Sequence, residues 1–119
     1  MPQRRESDCI FCRIVAGEIP ATMEHRDEHV VAVADLNPQA PVHLLVLPVE
    51  HYADVGAIAA EGRDDVAAAL LRAAAMLGLR HGGDGGFRLV VNTGTHGGQT
   101  VGHAHVHVLA GRPMRWPPG

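Results

Sequence analysis

The chain contains no lysine, so all ten of its fixed positive charges are arginine. Alanine and glycine are abundant, which marks a codon bias, and no function is attached to the missing lysine. Charge of either sign is in short supply, with a formal net value of -3. That leaves no basic excess with which to hold a polyanion, so nucleic acid is not an expected partner. No apolar run approaches the ~20 residues that span a bilayer. The start, Met1-Pro2-Gln3-Arg4-Arg5-Glu6-Ser7-Asp8, is polar and lacks the apolar stretch of a secretory signal. No membrane association is expected, and the product is expected in the cytoplasm. Cysteine is also scarce. The two present, in Cys9-Ile10-Phe11-Cys12, suggest a metal or redox role more than a disulfide in such a chain. The length suits one domain over 1–119, which is expected to bury about two-thirds of its unfolded surface and to need no staples. Residues 1–7 are expected to be a disordered lead and 111–119 a C-terminal tail.

Histidine, by contrast, is plentiful at nine residues. Three of them alternate in Val101-Gly102-His103-Ala104-His105-Val106-His107-Val108-Leu109. Strand side chains point to opposite faces in turn, at roughly 6.8 Å per two residues. His103, His105 and His107 are therefore expected on one face, with Ala104, Val106 and Val108 buried on the other.

Elsewhere the pattern is α+β. Asp8 is a good N-cap for a helix from about Cys9 to Ala16, with Gly17 as its stop. Thr22 to Arg26 and His29 to Ala34 read as strands around an Asp27-Glu28 turn. Val42 to Leu47 is a largely apolar strand ended by Pro48. Asp64-Asp65 opens the main helix, Val66, Leu70, Ala73 and Leu77 form its stripe, and Gly78 is its expected stop. Phe87 to Asn92 is a further strand. About five strands and two helices without regular alternation predict an antiparallel sheet.

The chemistry follows from residue type. A neutral imidazole is a good nucleophile near pH 7 and leaves again once protonated. Attack on phosphorus gives a phosphoramidate-linked intermediate that water hydrolyses. The central His105 is the natural attacker, because both flanking imidazoles reach the same phosphoryl group. Gly97-Gly98-Gln99-Thr100 precedes the triad, and glycines let backbone N–H groups approach an anion closely. Asp35 alone reads as a loop cap, or as a carboxylate accepting from ribose hydroxyls. A closed tetrahedral zinc site needs two ligands beyond Cys9 and Cys12. A thioredoxin-like redox site wants a βαβ context, which is absent. His25, His29, His81 and His96 carry no assigned role.

His103-x-His105-x-His107 with Val108-Leu109 resembles the signature of the histidine triad (HIT) superfamily of nucleotide hydrolases and transferases. Asp35-Leu36-Asn37-Pro38-Gln39-Ala40-Pro41-Val42-His43, Val91-Asn92-Thr93-Gly94 and the ending Gly111-Arg112-Pro113-Met114-Arg115-Trp116-Pro117-Pro118-Gly119 resemble its HINT branch. The four blocks occur in order, and the likeness runs from about Asp8 to Gly119. The resemblance implies His105 as nucleophile, His107 as phosphoryl or leaving-group partner, and His43 as an orienting fourth histidine. It implies a purine slot lined by Ile10, Phe11, Ile14, Ile19 and Val33, with Leu36 against the base and Asp35 on the ribose. Val33 departs from the aromatic usual there. Asn92, Gly98, Gln99 and Thr100 are the implied phosphate contacts, Thr100 standing where a serine is usual. Triad proteins with the cysteine pair imply a structural zinc on Cys9, Cys12, His51 and His103; catalysis itself needs no cofactor. A homodimer is implied, with its sheets joined and the tail, including Trp116, near the partner's site. The expected activity is a purine nucleoside phosphoramidase acting on adenosine 5'-phosphoramidate-type substrates. The alternatives are a dinucleoside polyphosphate hydrolase or a non-catalytic AMP-binding scaffold. A purely zinc-stabilised module leaves Asp35, Asn92 and Thr100 unexplained.

Overall fold

The computed structural model describes residues 4–119. One five-stranded antiparallel sheet, in the order β1-β2-β3-β5-β4, is built from β1 (Met23–Arg26), β2 (Val30–Ala34), β3 (Val42–Pro48), β4 (Phe87–Val90) and β5 (Val106–Ala110). Three α-helices accompany it among the described residues: α1 (Ile10–Val15), α2 (Val55–Ala60) and α3 (Asp64–Gly82). No described helix is long and apolar enough to cross a membrane.

The alternation of each strand sorts the side chains into two cores. Val30 and Ala32 of β2, Leu44 and Val46 of β3, and Val106 and Val108 of β5 meet α3 on one face. Val31, Val33, Leu45 and Leu47 turn to the other face and meet Phe11 and Val15 of α1. The central strands are thus covered on both sides, which explains their nearly unbroken apolar sequences. The second face is covered only in part, and the open part carries His105 and His107. As expected from alternation, Ala104, Val106 and Val108 are buried in the first core.

Three expectations need correction. The helices number three, not two, because Asp54 caps α2 by accepting from the Ala57 N–H at 2.8 Å. That helix is one short apolar turn and a half, without a stripe to read. Gly78 does not stop α3, which runs on to Gly82. A Cβ at Gly78 would lie 2.4 Å from the Phe87 ring, so this glycine admits β4 rather than ending the helix. At the other end, Cys9 and not Asp8 caps α1, its Sγ accepting from the Cys12 N–H at 3.4 Å. Of the lead 1–7, residues 1–3 lie outside the described part. From Arg4 onward the segment is tied down: the Arg4 carbonyl accepts from the His51 N–H at 2.9 Å, and its guanidinium lies 4.5 Å from the Tyr52 ring centre.

Candidate active site

The triad does not lie wholly in a strand. β5 begins at Val106, and the β3–β5 ladder starts at the Val46–Val106 pair. His107 is in the ladder; His103 and His105 precede it. His103 is fully buried on the side covered by α1, beside the two cysteines and edge-on to Phe11, which also packs on His105. His105 and His107 remain together, their ring centres 5.0 Å apart.

Hydrogen bonds set the tautomers. The His105 Nδ1–H donates to the carbonyl of His103 at 2.7 Å, leaving the Nε2 lone pair free. His43 Nδ1 accepts from the Gln39 N–H at 3.0 Å, so the neutral ring carries its proton on Nε2. That Nε2–H points to His107 Nδ1 at 2.9 Å, with Asp35 Oδ2 also 3.3 Å away. Neutral His107 consequently carries its proton on Nε2. One imidazole thus presents a lone pair and its neighbour a donor. Burial, then the nearby rings of His105 and His43, pushes the His107 pKa down to about 4. Burial also lowers that of His43, against the opposing pull of Asp35. His43 and His107 are therefore neutral near pH 7.

His105 and His107 open onto a cleft of about 290 Å³. Ile10, Phe11, Ile14, Ile19, Val33, Asp35, Leu36 and Thr100 line it. Pro20, Ala21, Ala34, Leu45 and Val101 line it as well and carried no sequence signal beyond being apolar or small. Phe11 packs edge-on to His105, with ring centres 5.2 Å apart. Leu36 is 95 % exposed.

Asn92, Gly98 and Gln99 do not line this cleft. The Gln99 amide accepts from the Gly94 N–H and donates to the carbonyls of Ala53 and Val101, so it braces the loop. The Asn92 amide donates to the Gly97 carbonyl. The N–H groups of Gly98 and Gln99 are taken up by Thr95 and Gly94. Gly97 is obligatory here, since a Cβ would lie 2.3 Å from the Thr93 oxygen. These residues shape the loop that ends at Thr100.

His103 belongs to a second cluster. Ligand atoms of Cys9, Cys12, His51 and His103 all lie within 4.8 Å of one another. Sγ of Cys9 is 3.3 Å and Sγ of Cys12 is 3.6 Å from His103 Nδ1, and Sγ of Cys12 is 3.3 Å from His51 Nδ1. Tetrahedral zinc with its usual bond lengths separates sulfur and nitrogen ligands by about 3.5 Å, so the spacing fits. The His103 Nε2–H donates to the Pro48 carbonyl at 3.0 Å, which turns the Nδ1 lone pair towards the thiols. A ring nitrogen anchored on a carbonyl is the usual support of a metal-binding histidine. Burial, set against the Pro48 hydrogen bond, lowers the His103 pKa to about 4, so its lone pair is available at neutral pH.

The HIT domain family profile matches residues 16–114. The chain belongs to the HIT family. Its HINT-like character shows in the relatives. A 14 kDa zinc-binding protein of Brassica juncea is 43 % identical over 94 % of this chain and 100 % of its own. A protein of Arabidopsis thaliana called adenylylsulfatase HINT1 is 42 % identical over 96 % of this chain and 78 % of its own. A HIT family hydrolase from Legionella pneumophila has a crystal structure with TM-score 0.85 and 43 % identity, covering 94 % of this chain and 100 % of its own. These likenesses establish the HIT-like fold and support nucleotide hydrolysis as the general class of activity.

Proposed function

We propose that this HIT protein is a purine nucleoside phosphoramidase working through a nucleotidyl-His105 intermediate. The observation that carries the reading is the pinned tautomer of His105: its Nδ1–H is held by the His103 carbonyl, and its Nε2 lone pair faces an apolar cleft that ends in a carboxylate and a hydroxyl. The purine lies among Ile10, Phe11, Ile14, Ile19 and Val33, with Asp35 accepting from the ribose and Thr100 donating to the phosphate. As the His105 Nε2–P bond forms, the P–N bond breaks, and the amine departs with a proton taken from solvent. Water then attacks phosphorus, the Nε2–P bond breaks, and the proton that water loses balances the one the amine took. Throughout, the His107 Nε2–H stabilises charge on the phosphoryl group, in the manner of a preorganised donor.

A nucleotidyl histidine does not depend on which group has left. The likeness to the relative called adenylylsulfatase therefore supports a second substrate, an adenylyl sulfate, handled by the same residues with sulfate as the departing group. Rates with adenosine phosphoramidate, adenylyl sulfate and diadenosine polyphosphates rank these readings. The deciding experiment is mass spectrometry of acid-quenched protein. An acid-labile adenylyl adduct on His105, lost in His105→Ala together with turnover but with AMP binding kept, supports the mechanism. Sustained turnover by His105→Ala refutes it.

Zinc fits the Cys9, Cys12, His51 and His103 set, and the relatives named as zinc-binding proteins support it. It would be structural: it draws the N-terminus of α1 and His103 together and contributes no group to the cleft. Assembly as a homodimer is part of the same reading. A groove of about 440 Å³ between α2, α3 and β4, lined by residues such as Ile58, Leu70, Leu71, Leu89 and Val91, stays open. Leu71, Leu79 and Val91 are exposed, as is Trp116 at 83 %. A second copy meeting the edge strand β4 and the alanine-rich α3 would cover them.

A further inference from the structure

We propose that Cys9, Cys12 and His51 form a positioning unit for the nucleophile, acting through the backbone of His103. The inference rests on His105 being the attacking residue, as proposed above. The sheet itself does not hold the peptide that matters. The β3–β5 ladder ends at Val106, so the carbonyl of His103, which fixes the His105 ring, lies outside it. The local holds are few. The Ala104 N–H donates to the Tyr52 carbonyl at 2.7 Å. The His103 ring is held at one nitrogen by Pro48 and approached at the other by the two thiols. His51 completes the cluster, 3.3 Å from Cys12 Sγ, with its ring centre 5.0 Å from that of His103.

The His103 ring is therefore clamped at both nitrogens only when the cluster is intact. With one nitrogen released, the ring can pivot about the Pro48 contact. The His103 carbonyl, whose peptide unit keeps only the Ala104 N–H bond to Tyr52, then loosens in direction. His105 Nδ1 loses its acceptor, and the Nε2 lone pair loses its aim. Phe11 adds a second link, since it packs edge-on to both His103 and His105, at 5.8 and 5.2 Å, and rides on the helix that carries both thiols. The residues that appear merely structural thus set the attack step.

The test compares the zinc-loaded protein with the same protein stripped by a chelator and then reloaded, and with Cys12→Ser and His51→Asn. Four quantities are read: metal content, kcat and KM on adenosine phosphoramidate, AMP affinity by calorimetry, and the His105 Nδ1–H signal in nitrogen-15 NMR. Emptying the cluster should lower kcat by about tenfold to a hundredfold, as loss of an outer support of a site does. AMP affinity should hold, the Nδ1–H signal should broaden away, and zinc should restore both it and kcat. A stripped, folded protein with full kcat and an intact Nδ1–H signal overturns the proposal. So does a rise in KM and loss of AMP affinity at constant kcat, which would make the cluster a support of the purine slot. Should the variants fail to fold, the stripped and reloaded wild type decides. Should no nucleotidyl substrate turn over, the proposed function fails, and the NMR signal alone decides the positioning.

Discussion

The Nε2–H of His43 points at Nδ1 of His107 across 2.9 Å. A backbone amide, that of Gln39, sits on the other nitrogen of His43. The amide cannot give up its proton, so the direction of the whole chain is fixed from the back. His107 is left with one donor, Nε2–H, facing the cleft.

Replacing His43 with Asn should therefore lower kcat by about tenfold to a hundredfold, the worth of one hydrogen bond to a charged or developing charged group. KM should change little, because His43 does not line the cleft. Steady-state kinetics of His43→Asn check this. A rise in KM with kcat retained would assign His43 to binding instead.

Acid should destabilise the fold through the same pair. The His107 pKa is lowered from 6.5 to about 4, and that of His43 is lowered too. Between these values the unfolded chain binds more protons than the native one. The stabilisation is complete above pH 6.5 and is lost as pH falls towards 4, by up to about 1.4 kcal/mol per pH unit for each group. Urea midpoints measured from pH 7.5 to 4.5 should fall through this window. In His107→Gln the slope should be shallower.

Much of this was legible in the sequence for a simple reason. Alternation is a property of the strand itself, so burial of Ala104, Val106 and Val108 followed from residue types alone. What alternation cannot show is where a ladder stops. That is why the sequence alone does not show that His103 and His105 lie ahead of the ladder. Gly78 failed similarly: a glycine at a helix end and a glycine under an aromatic ring are the same letter. The partners of the Gln99 side-chain amide at Gly94, Ala53 and Val101 are set by tertiary closure of the loop, which no local pattern shows. The cap of α2, Asp54, precedes an apolar run of six residues, too short to show a helical stripe.

Removing metal should loosen the molecule more than a surface change does. Binding to the folded state at a thousandfold excess over Kd contributes about 4 kcal/mol, so stripping should lower Tm by more than about 10 °C. Elemental analysis should give about one zinc per chain before treatment. A folded protein with no metal, unchanged Tm and two freely alkylated thiols would remove zinc from the account.

Assembly is tested at Leu71, which is 62 % exposed beside the apolar groove. Light scattering at micromolar concentration should give a dimer for the unaltered chain and a monomer for Leu71→Glu, since a charge buried there has no partner. Quenching of Trp116 fluorescence should be weak in the dimer and strong in the variant. Deleting Arg115 to Gly119 should alter substrate preference more than Tm.

Because Gly78 has no side chain, the Phe87 ring rests directly on the backbone of α3. The outermost strand and the long helix therefore trade volume at a single point. Enlarging position 78 would lift β4 away from the helix and tilt the rim of the sheet, unless position 87 shrinks at the same time. Positions 78 and 87 therefore share one volume, and a larger residue at 78 should be tolerated only with a smaller one at 87.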